Sequence, residues 1–157
     1  MDLSVIVPTF NEGPNVAELV RRTTDALADR AVEVIFVDDS TDDTPDIIRA
    51  VAAGARIPVR LIHRDDPVGG LGGAVVEGIK AAASDRCVVM DGDLQHPPEV
   101  IADLLTRAEM GDVDVVVASR YVAGGTSDGL ANAVRTMVSR ASTLLTKSMF
   151  PKKLHNC

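Results

Sequence analysis

The sequence has little cysteine, few aromatic residues and no long apolar run, and each shortage excludes a class of protein. Its two cysteines, Cys87 and Cys157, have neither disulfide-framework nor zinc-site spacing, so we expect a reducing compartment. There is no tryptophan, one tyrosine and three phenylalanines, too few for the stacking platforms of single-strand nucleic-acid binders. No apolar run reaches the roughly 18 residues that a membrane span requires. Residues 1–7 lack a basic start, which argues against a signal peptide.

Acidic residues outnumber basic ones, and the excess is unevenly distributed. The 157 residues include 23 Asp and Glu against 16 Lys and Arg, a net charge of −7, which argues against a nucleic-acid partner. All the acidic residues precede residue 131, whereas residues 131–157 carry five basic residues and no acidic one. That segment also has apolar residues at helical spacing. It is either a surface helix packed on the rest of the domain or a basic amphipathic helix that lies against a membrane or an anionic acceptor.

Apolar strand-like segments alternate with helix-like segments through the first 118 residues. The predicted strands are residues 3–7, 32–37, 59–62, 86–90 and 113–118. The predicted helices are a segment capped by Asn15, one opened by Thr44 and Pro45, residues 73–83, and one that runs from Pro97 and Pro98 to Ala108. Continuously apolar strands joined by helices indicate a mostly parallel sheet covered on both faces. We therefore predict one α/β domain, for which the chain is long enough.

Acidic residues concentrate in the loops that follow three of the predicted strands, at residues 8–12, 38–43 and 91–95. Ligands of open α/β sheets bind beyond the carboxyl ends of the strands, so we expect these loops to form one acidic rim. Mutual repulsion at such a rim requires a cation or hydrogen-bond donors to neutralise it.

The sequence Asp91-Gly92-Asp93 is the clearest single site. Two carboxylates separated by a glycine can turn toward one hard cation, and Gln95 can add a neutral oxygen. Oxygen-only ligands suit Mg²⁺ or Mn²⁺, which then bridge the phosphate oxygens of a ligand. The alternative interpretation is an Asp-Gly turn with helix capping.

The neighbouring acids Asp38 and Asp39 have a different predicted task. A carboxylate only accepts hydrogen bonds, so it can read the N–H edge of a uracil or guanine base, with Asp39 the stronger candidate. Phe10 can lie against such a base, and Glu12 can reach the ribose or the base. The alternative is that this loop only caps the next helix, since residues 40–42 are good turn and capping residues.

Two further motifs are less specific. Residues 69–73 read Gly-Gly-Leu-Gly-Gly, but they lack the Lys-Ser/Thr of a phosphate-binding P-loop, so we predict a flexible turn into a tightly packed helix. Arg120 closes the predicted fifth strand, where a guanidinium can clamp a phosphate or form a surface salt bridge.

In this order the motifs resemble the family 2 glycosyltransferases of the GT-A fold, and most closely the dolichol-phosphate or polyprenyl-phosphate sugar transferases, mannosyltransferases first. The matching stretches are residues 5–12, 37–44 and 89–99, and the match continues through Arg120, so it covers most of the chain. The third stretch, with Asp-Gly-Asp-Leu-Gln-His-Pro-Pro-Glu, is the most specific. Gly92 stands where that branch usually has alanine, a small change that should leave the metal site intact.

The resemblance implies a role for each matching residue. The nucleotide pocket would be lined by Pro8, Phe10, Glu12, Val37, Asp39, Asp91 and Gly92. The metal, Mg²⁺ or Mn²⁺, would be held by Asp91, Asp93 and Gln95. The catalytic set would be Asp91, Asp93, Arg120 and Arg135, and the phosphates of donor and acceptor would contact Arg120, Arg135 and Ser139.

The implied reaction is the inverting transfer of a sugar, with mannose as the first candidate, from GDP-mannose or UDP-glucose to dolichyl or polyprenyl phosphate. The resemblance places this reaction on the cytoplasmic face of a membrane. A lipid phosphate is already anionic, so no general base is needed. The alternatives are a UDP-glucose-dependent polyprenyl-phosphate glucosyltransferase and a non-catalytic nucleotide-sugar-binding module. A third is a haloacid-dehalogenase-like phosphohydrolase, although its nucleophilic aspartate normally follows the first strand.

Family members continue beyond the position of Cys157 with further basic residues. The resemblance therefore implies that residues 1–157 are a GT-A domain truncated at its C-terminal end, with residues 131–157 as its basic amphipathic segment. We expect donor binding to survive in this chain, and whether residues 1–157 alone turn over is left to experiment.

Overall fold

The computed structural model describes residues 1–118, which form a parallel four-stranded sheet with helices on both faces. The strands are β1 (Leu3–Thr9), β2 (Val32–Asp38), β3 (Val59–His63) and β4 (Cys87–Val89). The helices are α1 (Gly13–Ala26), α2 (Thr44–Gly54), α3 (Gly70–Ala81) and α4 (Val100–Ala108). The strand order is β3-β2-β1-β4, and every neighbouring pair is parallel. The predicted α/β class with a parallel sheet is confirmed.

Both faces of the two central strands are buried, which is why β1 and β2 are almost continuously apolar. Successive side chains of a strand point to opposite faces. One face packs with residues of α1, α2 and α4, and the other packs against α3. The first face carries Val5, Val7, Val34 and Phe36, and the second carries Ile6, Ile35 and Val37. Each of these buried side chains contributes about 1.5–3 kcal/mol relative to an exposed one.

Helix α3 approaches the sheet closely because its contact position is a glycine. A Cβ atom built at Gly78 would lie 2.4 Å from Cγ2 of Ile6 and 3.2 Å from Cγ2 of Val37. No side chain therefore fits between this turn of the helix and the centre of the sheet. The close approach brings the first turn of α3 to the carboxyl ends of β1 and β2.

The ends of several elements differ from the predicted ones for identifiable reasons. Helix α1 begins at Gly13 rather than after Asn15, with Pro14 in its first turn, where a missing N–H costs nothing. Helix α3 begins at Gly70, three residues before the predicted start. Strands β1 and β2 extend to the polar residues Thr9 and Asp38, whose side chains are hydrogen-bonded to each other.

The predicted fifth strand at residues 113–118 is wrong, because these residues form no strand in the structure. Val115 and Val117 are 75% and 77% exposed, and β-branched residues favour a strand only where a neighbouring strand covers them. All the elements named above belong to one compact unit, Met1–Asp114, and the residues from Val115 onward are assigned to a second unit. Within residues 1–118, no helix has the length and apolar character needed to cross a bilayer.

Candidate functional site

A cavity of about 340 Å³ lies at the carboxyl ends of β1 and β2, beside the loop that follows β4. Its lining residues are Pro8, Thr9, Phe10, Glu12, Asp39, Leu71, Ala74, Asp91 and Asp93. Acidic residues from all three predicted loops therefore meet at one edge of the sheet, as the topology of a parallel sheet requires. The volume is at the small end of the range typical of ligand sites.

The Glu12 carboxyl group lies partly buried beside the two aspartates of the loop that follows β4. Its Oε2 atom is buried and has no hydrogen-bond partner among the described residues. Burial, followed by the negative charges of Asp93 and Asp91, raises the pKa of Glu12 to about 7. The negative charges of the three acids therefore repel one another.

Gly92 allows the Glu12 carboxyl to lie against the backbone between the two aspartates. A Cβ atom at position 92 would lie 2.0 Å from Oε2 of Glu12 and 3.1 Å from Cγ2 of Thr9. The alanine expected from the family resemblance would require this carboxyl to move. The replacement is therefore not neutral for the shape of the site.

The loop that follows β4 carries oxygen ligands of the kind that a divalent cation takes. Asp91 is exposed, and Asp93 Oδ1 accepts a 2.9 Å hydrogen bond from the backbone N–H of Gln95. Gln95 is exposed and does not line the cavity, and Nδ1 of His96 lies 3.6 Å from Oδ2 of Asp91. Residues 1–118 contain no group of three or more His, Cys, Asp or Glu arranged to hold a metal ion. Mg²⁺ is commonly bound by one or two carboxylates, with water and phosphate oxygens completing its shell.

The two acids that end β2 have separate surroundings. Asp38 is fully buried and accepts hydrogen bonds from Oγ1 of Thr9 at 2.8 Å and Oγ of Ser40 at 2.6 Å. Its Oδ2 atom also lies 2.8 Å from Nδ1 of His63. Asp39, by contrast, lines the cavity with 16% of its side chain exposed. Asp38 therefore joins the ends of three strands, and Asp39 is the one available to a ligand.

The other residues of the predicted nucleotide pocket are not equally placed. Pro8 and Phe10 line the cavity, and Phe10 is 61% exposed, so its ring is available to a planar ligand. Val37 is fully buried and lies outside the lining, where it packs with Ala74 in the core under α3. The predicted phosphate-contacting residues Arg120, Arg135 and Ser139 lie outside the described residues.

Sequence reasoning missed four residues of this region: Thr9, Arg64, Leu71 and Ala74. Leu71 lies inside the glycine-rich segment, and the first turn of α3 brings it to the cavity. Arg64 does not line the cavity but binds Asp39 through both carboxylate oxygens. A basic residue directly after a predicted strand was the available signal, but its partner 25 residues earlier is not evident from the sequence.

Comparison with known proteins gives a consistent family match. The model of "Glycosyl transferase family 2" matches residues 4–157. A dolichol-phosphate mannosyltransferase of Pyrococcus furiosus is 39% identical over 154 residues, which is 97% of this chain and 42% of that protein. A dolichol-phosphate mannosyltransferase of Mycosarcoma maydis is 35% identical over 156 residues, which is 93% of this chain and 51% of that protein. The chain thus spans about half, or less, of the length of these relatives.

One solved structure with a similar fold contains bound ligands. The mannosyltransferase PcManGT of Pyrobaculum calidifontis, solved in complex with GDP-Man and Mn²⁺, matches with a TM-score of 0.56 and 27% sequence identity. The match covers 66% of this chain and 31% of that one.

Proposed function

This chain belongs to glycosyl transferase family 2 and has its GT-A fold, and from this we propose that it transfers a sugar, mannose first, from a nucleoside diphosphate sugar to dolichyl or polyprenyl phosphate. The names of the curated relatives support the mannosyl transfer and the lipid phosphate acceptor. The GDP-Man and Mn²⁺ in PcManGT support GDP-mannose as the donor and a divalent metal as the cofactor. UDP-glucose is the alternative donor.

The observation that carries the proposal is the grouping of the acids within one cavity. Asp39 provides a hydrogen-bond acceptor for a base, while Glu12, Asp91 and Asp93 form a separate acidic group. A nucleoside diphosphate needs both kinds of site, because its base is read by hydrogen bonds and its diphosphate requires a cation beside carboxylates. The exposed ring of Phe10 adds an apolar surface for the base.

In this proposal Asp91 and Asp93 would hold Mg²⁺ or Mn²⁺, and Gln95, which lies outside the cavity lining, could join them only by turning toward the ion. When bound, the ion neutralises the negative charge that develops on the departing diphosphate. The protein groups orient the donor: Asp39 and Phe10 hold the base, and Pro8 and Thr9 form the cavity wall at the end of β1. Positioning of this kind is a large part of catalysis when neither reactant needs a protein base.

The acceptor side of the proposal involves the segment that begins near residue 119. Arg120, Arg135 and Ser139 would contact the phosphates of donor and acceptor, since arginine binds phosphate through a bidentate fork. The lipid phosphate is already anionic and attacks the sugar without a general base. Residues 131–157, with five basic residues and no acidic one, would meet the anionic cytoplasmic face of the membrane.

The test is a calorimetric panel of GDP, UDP and ADP and their sugars, titrated into the full chain with and without Mn²⁺. We expect GDP-mannose or UDP-glucose to bind only with Mn²⁺. ADP-sugars should bind at least about tenfold more weakly, because adenine lacks the ring N–H of guanine and uracil that Asp39 would read. Asp91→Asn should abolish the Mn²⁺-dependent binding. Asp85→Asn is the matched control, because Asp85 is an exposed acid just before β4, at the opposite edge of the sheet.

Absence of binding by GDP, UDP and their sugars in the presence of Mn²⁺ would contradict the proposal. Equal losses in the Asp91→Asn and Asp85→Asn variants would contradict the metal site alone. Sugar transfer is then measured with polyprenyl phosphate, where GDP-mannose and UDP-glucose as competing donors separate the two candidate activities.

A further inference from the structure

Arg64, the first residue after β3, is the one buried arginine among residues 1–118. Its side chain is 6% exposed, whereas the other arginine side chains that form ion pairs in this part of the chain are 26% to 74% exposed. Taking a guanidinium out of water is costly unless its N–H groups find good partners. The contacts of Arg64 therefore indicate what this buried charge does.

The main partner of Arg64 is Asp39. Nε of Arg64 donates to Oδ1 of Asp39 at 2.7 Å, and Nη2 donates to Oδ2 at 2.5 Å. This is the parallel two-bond geometry that fixes the plane of a carboxylate as well as its position. Asp39 lines the cavity and Arg64 does not, so the arginine lies behind the carboxylate.

The same guanidinium also fixes the entry to α3. Nη1 donates to the carbonyl oxygen of Val68 at 3.2 Å, and Nη2 donates to that of Gly70 at 2.9 Å. A Cβ atom at Gly73 would lie 2.1 Å from the carbonyl oxygen of Val68 and 3.0 Å from Nη1 of Arg64, so only glycine fits at that position. The glycine-rich segment, residues 69–73, lacks the P-loop signature and instead packs around the buried Arg64 side chain.

We propose that Arg64 is a positioning residue for the nucleotide base, acting through Asp39. The proposal rests on the proposed function and deepens it. With its plane fixed by Arg64, the Asp39 carboxylate offers its remaining lone pairs to the cavity and accepts a hydrogen bond from a base whose ring carries an N–H. Guanine and uracil have such a ring N–H, and adenine does not. Arg64 therefore contributes to base selection without contacting the ligand.

The experiment separates the base from the diphosphate. Mn²⁺-dependent binding of GDP, UDP and inorganic pyrophosphate is measured by calorimetry for the full chain and for Arg64→Gln. We expect Arg64→Gln to weaken binding of the preferred nucleotide by about tenfold or more, because it releases a charged hydrogen-bond acceptor, and to change pyrophosphate binding by less than about twofold. Arg60→Gln, on the same strand and paired with Glu33, should change neither.

A double-mutant comparison tests whether the effect passes through Asp39. In an Asp39→Asn background, Arg64→Gln should cause no further loss of nucleotide affinity beyond about twofold. If Arg64→Gln does not fold by circular dichroism, Arg64→Lys takes its place, since it keeps the charge but not the two-bond fork. It should weaken nucleotide binding less than Arg64→Gln and leave pyrophosphate binding unchanged.

Equal losses of nucleotide and pyrophosphate affinity, or additive losses in the Asp39→Asn background, would show a merely structural role and overturn the proposal. Unchanged nucleotide affinity in both Arg64 variants would overturn it as well, while leaving the proposed function intact. If the unsubstituted chain binds pyrophosphate with Mn²⁺ but no nucleotide, the proposed function fails and the role of Arg64 fails with it.

Discussion

Replacing Gly78 and Gly72 by alanine should change the stability of the chain in opposite directions, although both lie in α3. A Cβ atom at Gly78 would lie 2.4 Å from Cγ2 of the fully buried Ile6. A Cβ atom at Gly72 would meet nothing within 4 Å. The two substitutions share the chemical change and differ in the space around it, so Gly72→Ala is a matched control for Gly78→Ala.

The size of the difference follows from two opposing effects. Alanine is better than glycine inside a helix by up to about 1 kcal/mol, and Gly72 in the first turn of α3 should gain about half of that. A methyl group forced into a packed core costs about 1–3 kcal/mol, and contact with buried Ile6 belongs at the upper end of that range. We therefore expect Gly78→Ala to lower the free energy of unfolding by about 2 kcal/mol.

The assay is urea unfolding of the full chain at room temperature, followed by circular dichroism, with the free energies compared at equal denaturant slopes. The two variants should differ by about 2.5 kcal/mol. A Gly78→Ala variant as stable as the parent would refute the reasoning, because α3 would then not press against Ile6.

Three further predictions concern the acidic site and the basic segment. The folded chain keeps the Glu12 proton up to a pKa of about 7, whereas the unfolded chain loses it near 4.5. The free energy of unfolding of the metal-free chain should therefore fall, relative to that of Glu12→Gln, as the pH rises between these values. The full pKa shift of Glu12 corresponds to about 3 kcal/mol of stability, and solvent screening reduces this to about 1 kcal/mol. The difference is measured by urea unfolding of both proteins at each pH, with a chelator present. Gly92→Ala should fold, because the group it meets is the end of a flexible side chain, and should abolish this pH dependence by moving the Glu12 carboxyl into water. The full chain should co-sediment with anionic vesicles, less so as salt rises, because residues 131–157 carry only positive charge.

Each of these predictions has a result that contradicts it. A constant stability difference between the parent and Glu12→Gln across the pH range would show that Glu12 is not perturbed. An unchanged pH dependence in Gly92→Ala would show that the carboxyl does not lie against position 92. Equal binding to neutral and anionic vesicles would exclude an electrostatic contact with the membrane.

The strands of the sheet could be predicted from the sequence because burial on both faces makes them continuously apolar. Their ends could not, since Thr9 and Asp38 are polar residues whose side chains are hydrogen-bonded to each other across the two strands. Helix α3 also begins earlier than its glycines predict, because Arg64 binds the carbonyl oxygen of Gly70 and the turn packs around it. Tertiary contacts of this kind override local helix propensity.

The same limit applies to the site. The convergence of the acidic loops follows from parallel topology, so the sequence predicted that they meet at one edge of the sheet. Whether a given acid faces a ligand depends on contacts across the chain: Asp38 and Asp39 are adjacent, yet one is buried among neighbours and the other faces the cavity. The unpartnered Glu12 oxygen and the buried Arg64 arise from packing, which leaves no local pattern in the sequence.

The buried Asp38 network lies beside the pocket and must be retained, whereas exposed residues of the pocket lining can be redesigned. Its bonds to Thr9 and Ser40 and its contact with His63 hold three strand ends together in the absence of a ligand. Phe10 takes no part in this network and lies exposed at the cavity. Substitution of Phe10, in natural divergence or in a mutant library, can therefore change the base preference at little cost in stability. Library members altered at Asp38 would instead unfold before their specificity could be selected.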